Sequence, residues 1–238
     1  IGTGLVGSEM CIRDRDKMPK GLLLWRGILQ WLGGIGIIVV AMVFLPELRV
    51  GGMQIFRAEG FDTLGKILPR ATTIAFQISI IYVGITIACG LAYVLAGMSF
   101  FDAVVHSFTT VATGGFSNYD KSFSVFSWKV EYVAILFMIL SALPFVRYVQ
   151  LINGQGTAIF KDPQVKTFIF LICFLVVLST LVLSLQLNLS FELVFRKALF
   201  NITSILTGTG YASTNYMLWG GFLAVSYTHL RAHETCTN

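Results

Sequence analysis

Charge is scarce in this 238-residue sequence: 12% of residues are Asp, Glu, Lys or Arg, against about 25% in a soluble chain. With 55% hydrophobic residues beside it, that shortage excludes an ordinary soluble domain. Cysteine numbers four, at Cys11, Cys89, Cys173 and Cys236. They lie far apart, and Cys89 and Cys173 fall inside apolar runs, so neither a disulfide framework nor a cysteine metal cluster is expected. No nucleophile–base pair, phosphate loop or metal-ligand spacing stands out, so the chain reads as a non-enzyme with no cofactor. The net charge of +5 raises nucleic acid as a partner. The basic residues, however, are scattered at the ends of apolar runs, where membrane proteins keep them, so nucleic acid is set aside in favour of a lipid bilayer.

Long apolar runs are what the sequence has in quantity, and they predict a polytopic all-α membrane protein. A first span is expected from Leu22 to Leu45, stopped by Pro46. Trp25 and Trp31 near its start suit an interfacial belt. Gly33, Gly34 and Gly36 read as a close helix–helix contact rather than a hinge. The loop Glu47–Arg70 carries four basic residues, and a second span follows from Ala71 to Ala96. A third runs from Lys129 to Gln150, kinked by Pro144, with Arg147 snorkelling to the interface. A polar loop, Asn153–Lys166, precedes a fourth span, Thr167–Leu187, and Trp219-Gly220-Gly221-Phe222 opens another apolar run. Ile1–Arg15 and Val225–Asn238 resemble translated sequencing-adapter DNA and are expected to be non-native extensions.

Two mixed segments are too short to span. Phe101–Tyr119 begins as an amphipathic half-helix and ends in the hairpin Thr109-Thr110-Val111-Ala112-Thr113-Gly114-Gly115-Phe116-Ser117. Phe191–Ser204 leads likewise into Thr207-Gly208-Thr209-Gly210-Tyr211-Ala212-Ser213. A shift of 96 residues lays Thr113 on Thr209, Gly114 on Gly210, Ser117 on Ser213 and Ala71 on Thr167. A repeated unit of span, half-helix, hairpin and span is therefore expected. Irregular backbone at membrane depth must be buried in protein or line a wet cavity, which makes both hairpins re-entrant pore loops. A half-helix aims its C-terminal carbonyls, with roughly half a negative charge, at its hairpin. Neither hairpin carries a carboxylate, so a monovalent cation coordinated by backbone carbonyls fits better than a divalent one. Gly114 and Gly210 can take φ > 0 and turn a carbonyl inward. His106 reads as a packed, hydrogen-bonded side chain rather than a pH sensor. Asp102 and Glu192 read as helix caps. Asn188 and Asn201 match the glycosylation pattern but are discounted, since Asn201 falls within a half-helix.

VATGGFS at Val111–Ser117 and LTGTGYAS at Leu206–Ser213 resemble the selectivity-filter segments of the Trk/Ktr/HKT superfamily of potassium transporters. WRGILQWLGGIGIIVV (Trp25–Val40) and LRVGGMQIFRAE (Leu48–Glu59) are similar to its bacterial TrkH branch. That resemblance implies a potassium-channel-like fold of four membrane–pore–membrane repeats around one pore, of which this chain holds about two. It divides the chain into the last helix of repeat one (16–46), repeat two (47–150) and a truncated repeat three (151–224), with extensions at 1–15 and 225–238. It implies the pore-forming subunit of a potassium uptake system, multi-pass in the bacterial inner membrane. The filters would be Val111, Ala112, Thr113, Gly114 and Gly115, then Thr207, Gly208, Thr209, Gly210 and Tyr211. Potassium would meet the carbonyls of Thr113, Gly114, Thr209 and Gly210. A homodimer and a cytoplasmic nucleotide-binding regulatory subunit (TrkA-like) are implied as partners. The rival reading is a non-transporting structural or interaction membrane protein whose repeats only pack. With hairpins entering from outside, Glu47–Arg70 and Arg147–Lys166 face the cytoplasm, in line with the positive-inside rule.

Overall fold

An apolar segment in lipid must satisfy its own backbone, and the helix does so within one segment. The computed structural model describes residues 15–44, 71–154, 158–186 and 189–214, and among them the chain is helices and turns with no strand. The two expected extensions, the loop 47–70 and the run at Trp219 lie outside the described residues, apart from Arg15. After a short 3-10 turn (Arg15–Lys17), the long helices are α1 (Lys20–Phe44), α2 (Ala71–Leu95) and, further on, α7 (Pro163–Gln186). At 1.5 Å per residue each is about 36 Å or longer, enough to cross a hydrocarbon core of about 30 Å. Helix α7 starts four residues before the expected Thr167, because Pro163 occupies the first helical position, where its missing N–H is no loss.

Ala75–Leu95 and Pro163–Leu185 have the length and apolarity of membrane spans. Each shows a continuous uncovered apolar stripe: Phe76, Ile80, Ile87 and Leu91 on α2, and Phe170, Phe174, Val177, Leu181 and Leu185 on α7. Helical spacing puts each set on one face. In water such stripes would be unstable; against acyl chains they are matched.

The segment expected as one kinked third span is two helices. Helix α4 (Trp128–Ala142) stops at Leu143, and α5 (Phe145–Ile152) leaves at 86° to it. Leu143 is extended, with ψ 147°, because the ring of Pro144 bars the helical conformation from the residue before it. Helix α5 folds back on the N-terminal half of α2, where Val149 packs with Ala75, Ile78 and Ile81. Arg147, expected to snorkel, instead pairs with Asp162 at the foot of α7 and donates to Gln150 Oε1 at 2.9 Å. A single turn, α6 (Ala158–Lys161), joins α5 to α7.

The half-helices are α3 (Phe100–Val111) and α8 (Phe191–Leu206), 12 and 16 residues long. Helix α3 packs against α1, α2 and α4, and α8 against α7 and α4. Their hydroxyls are buried in protein: Ser107, Thr109 and Thr110 on α3, Thr203 and Ser204 on α8. Polar half-helices thus have the protein cover that membrane depth demands.

Helix α1 corrects two expectations. Trp25 is 57% exposed, as a belt residue should be, but Trp31 turns inward. Its indole N–H donates to Thr86 Oγ1 at 3.0 Å, and its ring lies 5.5 Å from both Tyr82 and Phe108. Of the glycine cluster, only Gly34 makes the close approach: a Cβ there would sit 2.8 Å from the Tyr82 hydroxyl and 3.2 Å from Ala112 Cβ. Gly33 and Gly36 face open space, and the second tight position is Gly27, against Val105.

Candidate functional site

The first half-helix opens on a reciprocal cap. Ser99 Oγ accepts from the Asp102 N–H at 3.2 Å and donates to Asp102 Oδ2 at 2.7 Å. Asp102 also takes Asn118 Nδ2 at 2.8 Å and the Tyr119 hydroxyl at 3.0 Å. Its carboxylate therefore ties the N-terminus of α3 to the chain leaving the hairpin. Burial and donation to that carboxylate push the Tyr119 phenol pKa above its ordinary value. A cavity of about 530 Å³ opens at this end, bordered by Asp16, Lys20, Asp102, Asn118 and Tyr119.

Helix α3 ends at Val111 and is capped by Ala112. The chain then turns back sharply, with φ 50° at Thr113 and 64° at Gly115, while the N–H groups of Gly114 and Gly115 both donate to Thr109 O, at 2.9 and 3.3 Å. Beyond the turn, His106 holds the returning segment, its Nε2 3.1 Å from Ser117 Oγ and its Nδ1 2.8 Å from Asp102 O. His106 is fully buried and edge-on to Phe123 and Phe126. It is a packing and bonding residue, as expected.

The second unit repeats this plan. Helix α8 ends at Leu206 and is capped by Thr207, with φ 71° at Gly208 and 82° at Gly210. Gly210 N–H donates to Ser204 O at 3.2 Å. Asn201 does the work of His106: it donates to Lys197 O at 2.8 Å and to Ser213 Oγ at 3.1 Å, and accepts from the Ser213 N–H at 3.2 Å. Being 1% exposed, it offers nothing to glycosylation.

Backbone conformation pairs the units one residue short of the 96-residue sequence match. The caps are Ala112 and Thr207, and the left-handed residues are Thr113 with Gly208 and Gly115 with Gly210. In the first hairpin φ > 0 thus falls on Gly115, not on Gly114 as expected. The Thr-Gly identities drew the sequence alignment; the helix C-terminus, from which both turns are hung, sets the geometry.

The structure brings the two hairpins into contact. A side chain at Gly115 would overlap the Thr209 carbonyl, so these backbones meet at van der Waals distance. Tyr211 crosses between units. Its phenol bonds Thr109 Oγ1 at 2.6 Å and Thr110 Oγ1 at 3.1 Å, and Tyr93 bonds the same Thr110 hydroxyl at 2.9 Å. Phe123 is fully buried between Tyr211, at 4.3 Å between ring centres, and Phe200 at 5.2 Å. Around it, Phe123 N–H donates to Ala212 O at 2.9 Å and Ala212 N–H to Ser122 Oγ at 3.2 Å. Two carbonyls of the expected filters have protein donors: Gly114 O accepts from Gln30 Nε2 at 2.7 Å and Tyr211 O from Ser204 Oγ at 2.8 Å. Thr209 keeps its hydroxyl on Thr207 Oγ1, 2.8 Å away.

One charged cluster was not foreseen. Glu131 on α4 is fully buried and pairs with both Arg196 and Lys197 of α8. Lys197 Nζ also donates to Ser213 O at 3.2 Å, which links the cluster to the segment leaving the second hairpin. An acid within a span and two bases on a half-helix, all in an apolar chain, was the available signal.

Residues 6–230 match the family described as "TrkH: Cation transport protein". The Trk system potassium uptake protein TrkI of Halomonas elongata is 41% identical over 97% of this chain and 47% of its own length. TrkH of Escherichia coli K12, named a Trk system potassium uptake protein, is 39% identical over 88% of this chain and 44% of its own. The crystal structure of the potassium transporter TrkH from Vibrio parahaemolyticus superposes with a TM-score of 0.77 at 35% identity, covering 91% of this chain and 44% of that one. This chain spans less than half the length of the relatives it matches.

Proposed function

We infer the function from one premise: this chain belongs to the TrkH family of cation transport proteins. It is a membrane protein, and we propose that within a full-length transporter it supplies two of the pore loops through which potassium crosses the bacterial inner membrane. The observation that carries the reading is the pairing of α3 and α8. Two short polar helices, buried in protein, end at adjacent hairpins with left-handed turns at equivalent points. Each helix directs its partial negative end at its hairpin, which favours a cation. The residues assigned to the passage are Val111–Gly115 and Thr207–Tyr211, with carbonyls of Thr113, Gly114, Thr209 and Gly210 as ligands for the ion. Two loops enclose half a ring, so the remaining ligands come from the rest of the transporter. We propose the partners that the resemblance implies, a second copy of the transporter and a cytoplasmic nucleotide-binding subunit (TrkA-like).

The test is growth on limiting potassium. A full-length reading frame containing this sequence is expressed in bacteria that lack potassium uptake, beside Gly114→Asp and Gly210→Asp. Rescue by the wild type and loss in both variants at unchanged membrane levels is the expected result. Rescue by both variants would leave the hairpins a packing role only. Failure of a well-expressed wild type would remove potassium as the transported ion.

A further inference from the structure

Helix α1 belongs to neither hairpin unit, yet one of its faces is built around the first hairpin. Gly27 and Gly34, seven residues apart, are the close-approach points, with a Cβ at Gly27 falling 3.1 Å from Val105 Cγ1. Trp31 locks the register between them, through Thr86 Oγ1 and through the Tyr82 hydroxyl, which donates to Trp31 O at 3.0 Å. Arg26 lies 4.3 Å from the ring centre of Phe116, on the returning segment of the hairpin. Gln30 sits on the same face, three and four residues from the glycines, and its Nε2 donates to Gly114 O at 2.7 Å.

We propose that Gln30 is a positioning residue for cation discrimination, holding the Gly114 carbonyl in one orientation from outside the hairpin. This rests on the transport reading above. A carbonyl has two lone pairs, and donation into one leaves the other to face a cation. The amide cannot be reversed, because its oxygen would then oppose the Gly114 oxygen. In the observed orientation Gln30 Oε1 is buried and accepts from no described group, so the side chain is held there for its N–H. The fit is also steric: a Cβ at Gly114 would collide with the Gln30 amide. The absence of a side chain at residue 114 and the presence of Gln30 are therefore one arrangement. Discrimination between monovalent cations depends on how many carbonyl dipoles face the ion and how firmly they are held. A carbonyl fixed by an outside donor cannot swing to fit a smaller ion.

The experiment uses the full-length transporter in potassium-uptake-deficient bacteria and compares initial uptake of rubidium, as a potassium tracer, with that of sodium. Gln30→Leu removes the donor at similar bulk, and Gln30→Glu opposes a carboxylate to the carbonyl. The expected result is a fall in the rubidium-to-sodium ratio of about three- to tenfold in both, the scale of one lost hydrogen bond, at unchanged membrane level. Should Gln30→Leu fail to reach the membrane, Gln30→Asn, which keeps the amide but withdraws it by one methylene, gives the same readout. A ratio equal to wild type in a variant that reaches the membrane overturns the role of Gln30 and leaves the transport reading standing. A wild type that takes up neither ion overturns the transport reading, and the role of Gln30 with it. As a second measure, Gly114→Ala should be less harmful in the Gln30→Ala background than alone, since the collision is then relieved. Simple additivity of the two would overturn the steric half of the argument.

Discussion

At the scale of single residues, the hairpins are held by side chains reaching from other segments. Tyr211 is the clearest case, because its ring and its hydroxyl do separable things. The ring packs on Phe123, and the hydroxyl reaches Thr109 and Thr110 of the other unit. Tyr211→Phe keeps the first and deletes the second. It should lower stability by about 0.5–1.5 kcal/mol, the net worth of a buried hydrogen bond, read as a lower thermal midpoint of the purified transporter in detergent. Tyr211→Leu should fall further, since it also gives up the aromatic contact. Equal midpoints for wild type and Tyr211→Phe would mean that the inter-unit bond adds nothing. Such contacts were not legible in the sequence. Gln30 and Gly114 are 84 residues apart, and no local pattern connects them. The inward turn of Trp31 was equally hidden: a tryptophan near a span's end is commonly interfacial, and the approach of α2, with Thr86 as acceptor, favours half-burial here.

At the scale of elements, Glu131 decides how α4 and α8 pack. Its carboxylate is fully buried and neutralises two cations that are themselves mostly covered. Removing one member of such a cluster leaves the others charged and desolvated. Glu131→Ala is therefore expected to cost about 3–5 kcal/mol, seen as loss of the folded peak in detergent chromatography. Glu192 pairs with Arg196 as well, but it is 62% exposed, and Glu192→Ala should change stability by only about 0–1 kcal/mol. Similar losses in the two variants would contradict this ranking. Elements are also where the sequence was most informative. Continuous apolar runs fixed α1, α2 and α7 to within a few residues, since in lipid the helix is the available solution. A kink at Pro144 was expected, within one continuous span. Its size, 86°, was not, because it depends on α5 finding an apolar bed on α2. The hairpins themselves were legible from their glycine and hydroxyl content. Their register was not, because residue identity and backbone conformation match at offsets that differ by one.

At the scale of the whole molecule, contacts between distant segments fix which ends share a side of the membrane. Phe123 bonds Ala212, so the chain leaving each hairpin emerges on one side. Val149 packs on Ala75 and Ile78, so the start of α2 lies with α5 at the other end of the span. The basic residues then give the orientation. Arg147, Lys161 and Lys166 belong to the α5 side. Of the bases on the hairpin side, Arg196 and Lys197 are drawn into the buried Glu131 cluster within α8, so they do not act as loop charges. The positive-inside rule counts basic residues in short loops; with Arg49, Arg57, Lys66 and Arg70 of the sequence leading into α2, the α5 side has seven, against Lys17, Lys20, Arg26, Lys121 and Lys129 on the hairpin side. The α5 side should be cytoplasmic and the hairpins should open outside. This is checked with single cysteines in a full-length transporter whose native cysteines are replaced by serine. Asp120→Cys and Asn153→Cys are both at exposed positions, one on each side. In intact spheroplasts a membrane-impermeant maleimide should label Asp120→Cys and leave Asn153→Cys unlabelled until the membrane is permeabilised. The reverse pattern would place the half-helix C-termini at the mercy of a cytoplasmic entrance, and uptake driven from outside would then have to meet the pore from its other end.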